Sequence, residues 1–164
     1  MQRVMNMKRN TWKIYALGIA LPEAVGALAG LLTREGTRRY AETILKPPLS
    51  PPPIVFPIVW SVLYALMGVG AARVYLTPDS ETRTQGLRLF LIQLFFNFVW
   101  SFLFFSFQAF GFAFVWLAIL FALIVMMALT FYQADRSAGL LQIPYLLWVF
   151  FAGILNLGVW MLNK

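Results

Sequence analysis

Long apolar runs alternate with short polar ones along the chain, and the runs have the lengths of membrane spans. From Leu89 to Ala134 no residue carries a charge. As helix this stretch would reach roughly 69 Å, about twice the hydrocarbon thickness of a bilayer. It must fold back, and Ser106, Gln108 and Gly111 mark the softest place to do so. That predicts spans over 87–107 and 110–132. Pro47 to Ala72 and Ser137 to Asn163 are also uncharged, which predicts spans over 54–76 and 139–162. A first span over 14–33 carries one acid, Glu23, and is broken by Pro22. Polar connections remain at 1–13, 34–53, 77–86, 107–110 and 133–138, which leaves no room for a second domain. No repeat or low-complexity run is visible. The expected fold is therefore an all-α integral membrane protein, one domain over 1–164. It is a bundle of five transmembrane helices with a proline-rich loop between the first and second.

Composition sharpens this reading. Of the 164 residues, 61% are hydrophobic and only 12% charged, against about 45–50% and about 25% in an ordinary soluble domain. A water-soluble fold of this size cannot hide so much apolar surface. The first run also fits a secretory leader: Arg3, Lys8, Arg9 and Lys13 precede the apolar Ile14–Leu21, and Ala27-Leu28-Ala29 reads as a cleavage site. Its length argues for a retained span, since removal would leave four. The net charge of +7 belongs to loops facing anionic headgroups rather than to a nucleic-acid site. With the N-terminus inside, Arg3, Lys8, Arg9, Lys13, Arg73, Arg83, Arg88 and Arg136 fall on the inner side. Arg34, Arg38, Arg39, Lys46 and Lys164 fall outside, so the basic bias predicts N-inside and C-outside. The expected location is a cell membrane.

The chain has no cysteine and no histidine. Thiol nucleophiles, disulfides, zinc-finger ligand sets and histidine acid–base relays are excluded together. Haem iron loses its usual ligand, leaving methionine and tyrosine. No phosphate-cradling glycine loop is present, and no acid pair sits at helical spacing within a span. What remains is aromatic and amide chemistry on helical faces. Gln93, Asn97, Ser101 and Phe104 recur on one face, with Trp100 beside them. Phe56, Trp60, Tyr64, Met67 and Ala71 form a second stripe; Trp148, Ala152, Leu155, Asn156 and Trp160 form a third. Amides in hydrocarbon need partners, so these faces should point inward. They are either a packed core or the wall of a cavity for a flat aromatic ligand. Trp12 and Trp160 lie near span ends, where tryptophan forms the interfacial belt. Glu23 is either a proton or ligand contact, or an acid tolerated beside the Pro22 kink. Gly18, Pro22, Gly26 and Gly30 form a small-residue stripe that admits another helix, within the chain or from a second copy. The run Lys46-Pro47-Pro48-Leu49-Ser50-Pro51-Pro52-Pro53 cannot be helical. It either starts the second helix or makes a rigid rim over the outer mouth of the bundle.

Leu21-Pro22, Gly26 and Leu31-Leu32-Thr33-Arg34 are followed by Lys46-Pro47-Pro48-Leu49-Ser50-Pro51-Pro52 and by Phe56-Pro57-Ile58-Val59-Trp60-Ser61-Val62-Leu63-Tyr64. Asn97-Phe98-Val99-Trp100-Ser101, Pro144-Tyr145-Leu146-Leu147-Trp148, Leu155-Asn156 and Trp160 complete the series. In order and spacing the chain resembles the TspO/MBR family of translocator and tryptophan-rich sensory proteins, relatives of the peripheral benzodiazepine receptor. The resemblance implies a five-helix bundle, commonly a homodimer, with a pocket under the first loop. It implies binding of porphyrins such as protoporphyrin IX and haem as ligands, or of similar hydrophobic small molecules, with no cofactor required. Pocket positions carry over as Tyr40, Pro51, Phe56, Trp60, Tyr64, Asn97, Trp100, Trp148, Ala152 and Leu155. The family's Trp-Tyr before the proline motif and Trp within it are Arg39-Tyr40 and Leu49 here, so two loop aromatics are missing. Tyr145 has no basic residue within reach, so the sterol-recognition pattern is absent as well. The expected function is a membrane receptor or sensor for tetrapyrroles, in the bacterial cell membrane that the resemblance implies. The alternatives are a transporter of them, or a light-driven enzyme degrading protoporphyrin IX through Trp60 and Trp148; no other catalytic residue and no metal ligand is expected.

Overall fold

The computed structural model describes the backbone of residues 2–164 and the side chains of residues 11–164. Arg3, Lys8 and Arg9, which weigh in the predicted orientation, have side chains outside that range. Seven α-helices occur among the described residues, and no strand: α1 Gln2–Leu32, α2 Arg34–Thr43, α3 Val55–Tyr75, α4 Glu81–Ser101, α5 Phe110–Ala134, α6 Arg136–Leu140 and α7 Ile143–Leu162. A π-helical turn, Phe102–Ser106, prolongs α4. Five segments are long and apolar enough to cross a membrane: Thr11–Leu32, Val55–Tyr75, Glu81–Ser106, Phe110–Ala134 and Arg136–Leu162.

Four details differ from the sequence expectations, each for a local reason. Pro22 does not break α1, which runs through it. Proline has no N–H to give the carbonyl four residues back, and that carbonyl, of Gly18, lies against the Gly68 backbone of α3. The freed oxygen is thus met by a neighbouring helix instead of ending its own. The 34–53 connection is not all loop, because α2 occupies its first half; it lacks a long apolar run but places Gly36, Tyr40 and Ile44 on one face. The helix α4 starts at Glu81, before the uncharged run, because the Ser80 side chain accepts from the Arg83 N–H at 3.1 Å and caps the first turn. Gly111 is not in the turn after α4; it lies in α5, where an added Cβ would come within 2.8 Å of the Trp160 ring. The reversal is made at Phe107–Ala109, with Gln108 in the left-handed region at φ 51°.

The helix α1 lies along α3 and also touches α4; α4 lies along α5, and α5 along α7. The ring closes between α3 and α7, whose backbones meet at few points. The inner face of α5 supplies the spine of the core: Ala113, Leu117, Leu120, Ile124, Met127 and Phe131 are all buried. Their spacing alternates four and three, so they form one stripe along the helix. Leu17, Leu21, Leu28 and Leu31 of α1 point outward, as lipid-facing positions of a spanning helix do. Trp12 and Trp160 are 60% and 38% exposed near helix ends, where interfacial tryptophans belong. Two members of the small-residue stripe of α1 serve contacts within the chain: a Cβ on Gly18 would come 2.7 Å from the Gly68 carbonyl oxygen, and one on Gly26 would overlap the Tyr64 ring. Glu23 is half-buried and forms no ion pair among the described residues.

At the opposite end of the bundle from α2, Arg73 closes α3 onto the corner before α6. Its Nε donates to Asp135 Oδ1 at 3.0 Å and its Nη2 to Oδ2 at 2.9 Å. Asp135 Oδ1 also accepts from the Ala138 N–H at 2.7 Å, capping α6. The Arg73 hydrogen bonds hold the Asp135 carboxyl below its ordinary value; the backbone donors of Ala138 and Ser137 add to this, and partial burial opposes it. A carboxylate with a depressed pKa stabilises the fold above its unfolded value, and the contribution is lost as pH falls through the folded one. Asp135→Asn should therefore cost about 1–2 kcal/mol at neutral pH. Thermal unfolding in detergent micelles should show that gap closing as the pH drops below the carboxylate range; a gap independent of pH would contradict the assignment. Gly68→Ala should cost about 1–3 kcal/mol through the crowded crossing with Gly18. Gly30→Ala, where an added Cβ meets nothing within 4 Å, should not lower the melting temperature and should raise it slightly through helix propensity.

Candidate functional site

Polar side chains inside a bilayer must be satisfied by protein, and this requirement builds the centre of the bundle. Asn97, on α4, is the node. Its Oδ1 accepts from the Tyr64 hydroxyl of α3 at 2.8 Å, and its Nδ2 donates to the Tyr145 hydroxyl of α7 at 2.9 Å. Tyr145 in turn donates to Gln93 Oε1 at 2.8 Å. Gln93 Nε2 reaches the Phe90 carbonyl at 3.0 Å and the Met67 sulfur at 3.1 Å. A second node lies nearer α2, where Trp100 Nε1 donates to Asn156 Oδ1 at 3.3 Å and Asn156 Nδ2 donates to the Phe110 carbonyl at 2.8 Å. Three helices are thereby fixed in rotation and depth at each node.

The aromatic rings are arranged around these nodes in two groups. Along the α3–α7 seam, Phe56 meets Trp148 edge-on with centroids 5.8 Å apart. Trp60 lies 5.4 Å from Tyr64 and 6.1 Å from Tyr145, and Trp148 lies 5.6 Å from Phe151. The seam rings therefore stand between the two backbones and meet one another directly. Toward α2, Trp100 stacks on Phe104 at 5.1 Å, and Tyr40 rests on Phe104, Phe105 and Phe110 at 5.2, 5.5 and 6.5 Å. Tyr40 is seated there by Gly36, whose backbone touches the Phe105 carbonyl so closely that a Cβ would overlap it. Burial pushes the Tyr40 phenol above its usual value, so it remains neutral at physiological pH.

The positions expected for a site are thus placed as follows. Tyr64, Asn97, Trp100, Ala152 and Leu155 are buried; Tyr40, Pro51, Phe56, Trp60 and Trp148 are half-buried. Phe56, Trp60, Tyr64 and Trp148 share the seam, Tyr64 and Asn97 share a hydrogen bond, and Tyr40 and Trp100 share the Phe104 ring. Sequence reasoning left Tyr145 and Phe110 out of the site. Tyr145 could have been found, since it continues the Trp148, Ala152, Leu155 face at helical spacing. Phe110 offers no such signal because its carbonyl, not its ring, joins the Asn156 node. One donor in the seam stands alone: the indole Nε1 of Trp148 is buried without a partner among the described residues. A cleft of about 200 Å³ lined by Tyr15, Arg73, Leu76, Thr77 and Asp135 lies at the far end, away from the rings.

Comparison of the sequence with known proteins identifies relatives over most of the chain. The TspO/MBR family profile matches residues 18–161. The tryptophan-rich protein TspO of Chlorobaculum tepidum is 38% identical over 149 residues, which covers 90% of this chain and 94% of that protein. The tryptophan-rich sensory protein of Cereibacter sphaeroides is 31% identical over 159 residues, covering 97% and 95%. The translocator protein of Bos taurus is 35% identical over 147 residues, covering 88% and 86%. With five spans, aromatic faces turned inward and a match over most of its length, this integral membrane protein belongs to the TspO/MBR family.

Proposed function

We propose that the protein is a membrane receptor for flat, apolar, aromatic molecules of the tetrapyrrole class, bound between α3 and α7 beneath α2. The observation that carries this reading is the Trp148 indole N–H, which lies buried and unpaired between Phe56 and Phe151. A lone donor in an aromatic seam suits a planar ligand that stacks on rings and offers one acceptor at its edge. A structural role alone leaves that donor unsatisfied, at a cost of about 1–3 kcal/mol. The seam is also where helix backbones are held apart by side chains rather than by close contact, so ring rotation can admit a planar body.

Haem and metal-free porphyrin are equivalent in this reading. No histidine is present, the Met67 sulfur accepts from Gln93, and both buried tyrosine hydroxyls are engaged. The macrocycle, not an iron ligand, is the recognised group. The family names of the relatives, sensory and translocator proteins, are compatible with such a ligand. A light-driven breakdown of the porphyrin in air has one observation in its favour: Trp60 lies between the two phenols of Tyr64 and Tyr145.

Protoporphyrin IX titrated in the dark into protein in detergent micelles should quench tryptophan emission at micromolar concentration. Trp148→Phe keeps the ring and removes the N–H, and should weaken binding about tenfold; Trp12→Phe, at the bundle surface, should leave it unchanged. No quenching in the wild type, or equal affinity in Trp148→Phe, would overturn the reading. Loss of the porphyrin band under illumination in air, abolished by Trp60→Phe, would identify the enzyme instead.

A further inference from the structure

The helix α2 is a strap tied at both ends. At its start it continues from α1 through Thr33, which is buried and whose carbonyl accepts from the Thr37 N–H at 2.8 Å. Its underside is the Gly36 and Tyr40 face that rests on the π turn and on Phe104 and Phe110. Its far end is held differently. There the Leu45 N–H donates to Asn163 Oδ1 at 3.1 Å, and Asn163 Nδ2 donates back to the Leu45 carbonyl at 2.9 Å. The two bonds pair one side-chain amide with the backbone N–H and C=O of one residue, as neighbouring strands would. The second hydrogen of Asn163 Nδ2 goes to the Val159 carbonyl at 2.7 Å, so the last turn of α7 fixes the amide before the strap arrives. Beside it Pro47 lies against Gly158, where an added Cβ would come within 3.0 Å of the proline ring. Leu45 itself is 62% exposed and so contributes little apolar burial. Exposed and individually weak polar bonds hold Leu45 itself, beside the Pro47–Gly158 contact and the half-buried Ile44.

We propose that Asn163 is the latch of the α2 strap: its paired hydrogen bonds to Leu45 set how often Tyr40 lifts from the Phe104–Phe110 rings. The latch acts on backbone, so the identity of the Leu45 side chain does not matter. Its consequence for ligand traffic rests on the reading of the aromatic seam below as a binding site; its geometry does not. Lys46 works on the same side of the hinge, donating to the Ala41 carbonyl at 2.7 Å while lying 5.3 Å above the Tyr40 ring. Once Leu45 is released, α2 keeps its own C-terminal cap and moves as a unit about Thr33.

The test is hydrogen exchange on the full chain in micelles without ligand, followed by stopped-flow quenching with protoporphyrin IX. In Asn163→Ala the amides of residues 40–46 should exchange about tenfold faster, as expected for losing two exposed hydrogen bonds, while α5 amides keep their protection. Leu45→Ala retains the backbone bonds and should exchange like the wild type. Porphyrin association and dissociation should both speed up severalfold in Asn163→Ala, with the equilibrium constant nearly unchanged; a loss of fold would instead weaken binding. Unaltered exchange in the strap of Asn163→Ala overturns the latch, as does faster exchange of α5 to the same extent. Faster strap exchange with unchanged porphyrin rates also overturns it as a gate. A wild type that fails to quench at all counts against the receptor reading alone, because the exchange result decides the latch without ligand.

Discussion

The structure depends on satisfying buried amides where no water is available. Asn97 alone joins three spans, accepting from Tyr64 and donating to Tyr145. Helices in lipid gain no hydrophobic driving force from each other, and interhelical hydrogen bonds there average about 0.6 kcal/mol. The value of the node is therefore directional more than energetic. A rotation of α3 or α7 by a fraction of a turn would strand two hydroxyls and an amide together. The same logic at Asn156 fixes α7 against α4 and against the start of α5. Once these rotations are set, the placement of Trp60, Trp100 and Trp148 follows, because each shares a helical face with a node residue.

Close approach and enforced separation divide the bundle between them. On the α1–α3 side, Gly18 and Gly68 bring two backbones together, and the carbonyl left free by Pro22 becomes part of that contact. On the α3–α7 side, large rings keep the backbones apart. One half of the molecule is a tight wall and the other a ring-filled seam. The charged pair Arg73–Asp135 closes the seam at one end and the strap covers it at the other.

The five spans were legible because hydrocarbon thickness imposes a length that uncharged runs must meet. The aromatic and amide stripes were legible because inward faces repeat at helical spacing; Gln93, Asn97, Met67 and Asn156 are all buried as that spacing requires. The strap was not, because Arg34–Thr43 is too polar for a search based on apolar runs and its signal is confined to Gly36, Tyr40 and Ile44. Continuity of α1 was not either, since a proline reads as a break unless the partner of its orphan carbonyl, here the Gly68 backbone, is known. The pairing of Asn163 with Leu45 joins positions far apart in sequence through a backbone amide, and backbone partners leave no mark on residue identity.

The π-helical turn Phe102–Ser106 has a consequence for insertions and deletions. In it the Phe107 N–H reaches back to the Phe102 carbonyl at 2.9 Å, so the turn holds one residue more than an α-helical one. Removing a single residue there would restore the ordinary pitch and swing the following side chains by about 100°, taking Phe105 and Phe110 out from under Tyr40. Pro52 and Pro53, exposed in the connection before α3, carry no comparable phase. A change of chain length is therefore better borne at Pro52 and Pro53 than in the π turn beneath Tyr40, where the residue count itself is fixed.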